Sequence, residues 1–188
     1  MSAADGIGSR AEERLFADAL SCELELPVAV LASDGRGRQA QATALLTSLA
    51  QLEDLRKDDS EEHGDLPLLA QRMDAKLDLV LSLLGRLVNR GDDAMPVRAV
   101  RWSRHGLRID LGAEPALADG AAVVLRLQPT DWLPDHIELP ASVLDQAHRP
   151  GGVRAWFGFS DLSPALSEAM DRHLFRLHRR QIAGQRRL

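Results

Sequence analysis

The chain has 188 residues, room for one domain with an appendage or for two small domains. Apolar residues make up 45% and suffice for a core, whereas aromatics are 4% with no tyrosine, which argues against a stacking platform for single-stranded nucleic acid. One cysteine excludes an internal disulfide framework and a multi-cysteine metal site. The net charge of −5 divides into −8 over residues 1–93 (eighteen acids, ten bases) and +3 over residues 94–188 (ten acids, thirteen bases).

The N-terminus MSAADGIGSRAEERL carries no apolar segment of signal-peptide type. The richest apolar run, Leu77 to Val88, is broken by Asp78 and Arg86 and is too short to span a bilayer. A cytoplasmic protein without membrane insertion is expected. Residues 1–34 read as an N-terminal tail and a first strand. Leu20, Cys22, Leu24, Leu26, Val28 and Val30 alternate with Ser21, Glu23 and Glu25, the period-two signature of a half-buried strand. Pro27 restricts that strand to an edge, a bulge or a strand end. Cys22 falls on the apolar side and reads as a packed core thiol.

Residues 35–91 read as a helical insertion. ASDGRGR, Ala32 to Arg38, is a turn or linker. Ala42, Leu45, Leu49 and Leu52 follow at 3-4-3 spacing, an amphipathic helix. DDSEEHGD, Asp58 to Asp65, is an acidic connector to a second helix of about Pro67 to Arg90, with Pro67 as an early helical residue. Its apolar positions Ala70, Met73, Leu77, Val80, Leu84 and Leu87 are spaced 3, 4, 3, 4, 3, over a helix roughly 35 Å long. Leu81 and Val88 widen the stripe on one side, and Leu69 and Leu83 on the other. A two-stranded coiled coil needs a narrow seam with charged flanks. A broad stripe suits a bundle of more than two helices, or burial against a domain. The reading taken is self-association of three or four chains through this helix. The alternative is an intramolecular hairpin with the Ala42–Leu52 helix.

Residues 92–188 are strand-rich. VRAVRW, LRIDL, AAVVLRLQ, HIELPASVL and VRAWFGF are short alternating runs separated by turns such as LADG and RPGG, which suggests a barrel or sandwich. Ser163 then reads as an N-cap and Pro164 as the first residue of a helix whose inner stripe is Leu166, Met170, Leu174 and Leu177. The arginine-rich end, RHLFRLHRRQIAGQRRL, points to an anionic partner by composition alone, and a solvated helix face is the plainer reading. His173 and His178 are five apart and do not form an i, i+4 zinc pair. His63, His105, His136 and His148 read as surface residues. No nucleophile elbow, Cys/His pair or nucleotide glycine fingerprint is present. The expectation is a protein that is not an enzyme and holds no metal.

The strand ending in PVAV, then SRHGLRIDL, a strand after LADG, and VRAWFGFSDLSPALSEAMDRHLFRLHRR form an order that resembles the PilZ domain. This bacterial module is best known as a receptor for cyclic di-GMP. Gly158, Phe159, Leu162 and Ser163 match the family's closing strand and turn into the last helix. The resemblance covers about residues 10–34 and 95–180 and leaves out the helical region between. That heptad-bearing region resembles the tetrameric, coiled-coil PilZ variant of xanthomonads. The resemblance implies an α+β fold: an antiparallel PilZ-type β-barrel with a C-terminal helix and an inserted helical segment that makes a homotetramer.

The family's ligand motifs are R-x-x-x-R and [D/N]-x-S-x-x-G. Arg10-Ala-Glu-Glu-Arg14 has the first spacing, with Glu12 and Glu13 between the arginines. Ser103 and Gly106 match the second, but Arg101 stands where Asp or Asn belongs. Arginine has five donors and no acceptor, so it cannot accept from guanine N–H groups. The resemblance therefore implies a non-enzymatic signalling or adaptor module, self-assembled through Ala70, Met73, Leu77, Val80, Leu84 and Leu87, with impaired or absent cyclic di-GMP binding. Its partner would be a bacterial signalling, pilus or motility protein, with a link to virulence. No cofactor is expected. The alternative is a working cyclic di-GMP receptor using Arg10, Arg14, Ser103 and Gly106.

Overall fold

In the computed structural model the described residues are 3–32, 38–61, 73, 77, 80, 84, 95–112, 117–130, 133 and 135–185. Helix α1 (Ala3–Phe16) precedes strand β1 (Ser21–Ala32) and helix α2 (Gln39–Glu61). Strands β2 (Val97–Ser103), β3 (Gly106–Leu111), β4 (Ala122–Leu127), β5 (Ile137–Arg149) and β6 (Gly152–Phe159) follow, and helix α3 (Pro164–Gln185) closes the chain. The strands form a closed antiparallel barrel in the order β1-β2-β3-β6-β5-β4.

Closure resolves the position of Pro27 differently from the sequence expectation. The residue lies inside β1, at neither an edge nor an end. It is where the strand changes partners: Ser21 to Pro27 pair with β2, and Val28 to Ala32 pair with β4. A residue without an N–H costs no ladder bond at such a switch. Its carbonyl is still used, accepting from the Gln128 N–H at 3.0 Å.

Alternation along each strand separates inside from outside. Cys22, Trp102, Leu107, Ile109, Leu125, Leu139, Ala155 and Phe157 are fully buried and face the barrel interior. Leu166, Met170, Leu174 and Leu177 of α3 join that interior as one core, as their spacing predicts. Ser163 caps α3: its Oγ accepts from the Leu166 N–H at 3.3 Å, and Pro164 is the first helical residue. The Cys22 thiol is buried and lies 3.6 Å from the Leu174 carbonyl, and burial pushes its pKa up, so it is a packing residue.

Helix α2 begins at Gln39 and runs through Glu61, so part of the expected acidic connector is helical. Among the residues of α2 whose burial is described, Ala42, Leu46 and Leu49 are buried and Leu45 is partly covered. Ala42 and Leu49 keep the expected stripe, and Leu46 is added to it. Gln39 braces the turn into α3, donating to the Asp161 carbonyl at 2.9 Å and accepting from the Ser163 N–H at 2.7 Å. Arg176 and Arg180 of α3 pair with Glu53 of α2, and Arg172 pairs with Glu168. Those cations are therefore engaged within the chain. Met73, Leu77, Val80 and Leu84 are helical and 49–58% exposed, so α2 does not cover them. Ala70 and Leu87 lie outside the described residues.

Candidate functional site

The N-terminal tail expected from sequence is helix α1, and it packs on the outside of the barrel. Ala11, Leu15 and Phe16 form a separate small cluster with Trp156 of β6, flanked by Leu144 and Ala147 of β5. A bulge between Val143 and Asp145 supplies Leu144 to this outer cluster. The stripe at positions 11, 15 and 16 was the available signal for the helix, short and set among charges.

This helix lies over the face where the two sequence motifs were expected to meet. Arg101 and Ser103 of β2, Arg108 of β3 and Trp156 of β6 all project outward there, on adjacent strands of the barrel. Glu12 is the centre of the arrangement. Arg101 Nη1 and Arg108 Nη1 each donate to Glu12 Oε1 at 2.7 Å, and Trp156 Nε1 donates to Glu12 Oε2 at 2.6 Å. Arg101 also lies over the Phe16 ring, 4.4 Å from its centroid, a contact of about 0.5–2 kcal/mol. Burial pushes the Glu12 pKa up, but the indole hydrogen bond and the two guanidiniums outweigh it and hold the carboxyl below its usual range.

The departure from the second ligand motif is thus answered by a residue of the first. The glutamate between Arg10 and Arg14 and the arginine at the acceptor position form an ion pair. Arg10 and Arg14 themselves are exposed, on the other side of α1 from Leu15. The structure brings Arg101, Ser103 and Gly106 together beneath α1 and leaves both motif arginines facing solvent. Arg108, Trp156 and Glu12 are the residues that sequence reasoning missed.

Ser103 and Gly106 are both explained without a ligand. Ser103 is fully buried; its hydroxyl donates to the Leu15 carbonyl at 2.7 Å and accepts from the His105 N–H at 3.1 Å. Gly106 pairs with Gly158 across β3 and β6. A Cβ at Gly106 would stand 1.9 Å from the Phe157 carbonyl oxygen and 2.9 Å from Leu15. Glycine is required there by the close approach of two backbones. The face offers N–H donors, and its serine is spent on α1. These donors cannot accept from guanine N–H groups as the motif's Asp or Asn would.

Among the described residues no group of three or more His, Cys, Asp or Glu side chains could hold a metal ion. None of the described helices is long and apolar enough to cross a membrane. His173 of α3 is buried against Trp102, with ring centroids 5.5 Å apart. Burial, then the Arg180 cation, lower its pKa from 6.5 to about 4 against a backbone hydrogen bond at Pro129 that raises it, so it is a neutral core residue.

Residues 46–187 match the family model described as "atypical PilZ domain, cyclic di-GMP receptor". That match includes the helical region, which the resemblance read from motifs had left out, and begins after β1. No curated protein matches the chain. Among solved structures, a pathogenic protein from Xanthomonas campestris is similar at 47% identity and a TM-score of 0.74, over 95% of this chain and 98% of that one. It is described as a tetrameric PilZ domain self-assembled via an unusual helical bundle. The PilZ domain of YcgR from Escherichia coli with c-di-GMP is more distant, at 19% identity and a TM-score of 0.43 over 52% of this chain and 83% of that one. The six-stranded barrel, the helical region and the closing helix agree with the family match over most of the chain, and the protein belongs to the atypical PilZ domain family.

Proposed function

We propose that this chain is a non-enzymatic assembly module: a PilZ-type barrel carried in a homotetramer by the helix bearing Met73, Leu77, Val80 and Leu84, with its cyclic di-GMP face closed. The observation that carries this reading is the pairing of Glu12 with Arg101 and Arg108 across that face. Arg101 replaces the Asp or Asn of the family motif, the motif serine is committed to Leu15, and a carboxylate already satisfies the guanidiniums. Tetrameric assembly is favoured by four large apolar side chains exposed at 3- and 4-residue spacing and by the assembly of the 47%-identical Xanthomonas protein. The surface left free on such a tetramer would engage a partner protein in bacterial signalling.

The test is a mass measurement and a cyclic di-GMP titration on the same sample. A tetramer with no heat of binding at micromolar ligand is expected. Stoichiometric micromolar binding abolished by both Arg14→Ala and Ser103→Ala would restore the receptor reading, with Arg10, Arg14, Ser103 and Gly106 as its site. A monomer would remove the assembly role.

A further inference from the structure

We propose that Arg101, Arg108 and Trp156 form an oxyanion site that α1 holds shut through Glu12, so that Glu12 and an external oxyanion compete for one cradle. The inference rests on the closed-face reading above and supplies its regulation: α1 is a latch.

Three features of the structure carry it. First, three N–H donors converge on a single carboxylate, two of them on the same oxygen. Paired guanidiniums with an indole N–H would serve a phosphate or another carboxylate by the same charge-assisted geometry. Second, the cradle is held independently of its occupant. Arg101 donates to Ser21 Oγ through Nε at 3.2 Å and Nη2 at 3.1 Å, and Arg108 Nη2 donates to Glu23 at 3.2 Å. Removing Glu12 leaves both guanidiniums in place, with Glu23 as their remaining carboxylate in these contacts, and the indole N–H without an acceptor. The vacated face is one negative charge short, and a bound oxyanion restores the balance.

Third, the latch can lift without breaking the barrel. The α1 cluster is separate from the main core. Four residues, 17–20, join α1 to β1. Helices attached in this way open locally, at less cost than global unfolding. An external oxyanion then binds with an affinity reduced by the fraction of chains whose latch is open. Weak binding by the wild type is therefore a property of α1, and not only of the missing acceptor at Arg101.

The test uses the full chain and inorganic pyrophosphate as the phosphate probe, with glutarate as the carboxylate probe. Glu12→Gln keeps the side-chain size and removes the charge. Saturable binding of at least one probe about tenfold or more tighter than in the wild type, lost again in Glu12→Gln/Arg108→Gln, is the expected result. Equal affinity in wild type and Glu12→Gln, or binding that survives Arg108→Gln, overturns the site. Should Glu12→Gln fail to fold, hydrogen exchange on the wild type decides. Amides of α1 should exchange faster in pyrophosphate or glutarate than in chloride at equal ionic strength, and equal rates in all three overturn the latch. Micromolar cyclic di-GMP binding by the wild type would instead count against the closed-face reading, so the two failures are told apart.

Discussion

Two apolar surfaces of this molecule have opposite fates. On the barrel wall, Trp156 and its neighbours are covered by Ala11, Leu15 and Phe16 of the same chain. On the helix of the insertion, Met73, Leu77, Val80 and Leu84 stay half exposed. The first surface also carries a charged centre, Glu12 between two arginines. The second repeats one apolar pattern along an axis. A covered wall with a part-buried ion pair defines one intramolecular fit. An uncovered periodic stripe is what identical partners can share. On the proposed function, the first surface is a ligand face closed from within, and the second is left for other copies of the chain.

The largest effect should come from charging the open stripe. Leu77→Asp with Leu84→Asp should convert the assembled species to a lower-mass form in sedimentation, with far-UV circular dichroism of the barrel retained. An unchanged mass would place the interface elsewhere. On the closed wall, Leu15→Ala should cost about 2–5 kcal/mol in denaturant unfolding, the range for a buried leucine; a cost below about 1 kcal/mol would mean that α1 is poorly docked.

The core beneath α3 gives the next contrast, a pH dependence. His173 is held neutral in the folded chain, with a pKa of about 4 against an ordinary 6.5. As pH falls through 6.5 the unfolded chain gains a proton that the folded chain refuses. Stability should therefore drop between pH 6.5 and about 4, by about 3 kcal/mol at most, and level off below. His173→Leu should remove this component of the slope; an unaltered slope would show that His173 does not titrate this way. Arg14→Ala should change stability by no more than about 0.5 kcal/mol, as a surface substitution. A larger cost would give that exposed arginine a role on the closed face.

The barrel was legible because its strands alternate cleanly. Leu107, Ile109 and Leu111 are buried, Arg108 and Asp110 are not, and the closing helix begins at Pro164 as read. Pro27 misled because strand propensity speaks of edges and ends, whereas a closed barrel also has partner switches. In α2, Ala42 and Leu49 are buried as read and Leu45 packs at the margin of the core, while the adjacent Leu46, not in the expected stripe, is fully buried. At the candidate site the substitution at Arg101 was readable as a loss of an acceptor. Its partner was not, since Glu12 lies 89 residues away and the pairing depends on how α1 sits on three strands. In the sequence Glu12 stood only as a residue between the two motif arginines; in the structure it is the carboxylate that Arg101 and Arg108 share.

That distance has a consequence in time. Glu12 and Trp156 are separated by 144 residues, so α1 cannot complete its seat until almost the whole barrel has been synthesised. Contacts of such long range are assembled late and slowly. During translation the dock of α1 stays incomplete, and Ala11, Leu15 and Phe16 lack Trp156 until β6 emerges. The closure of the face is thus also a report on completion: a chain cut short before β6 would leave this helix without Trp156, whatever the state of its earlier strands.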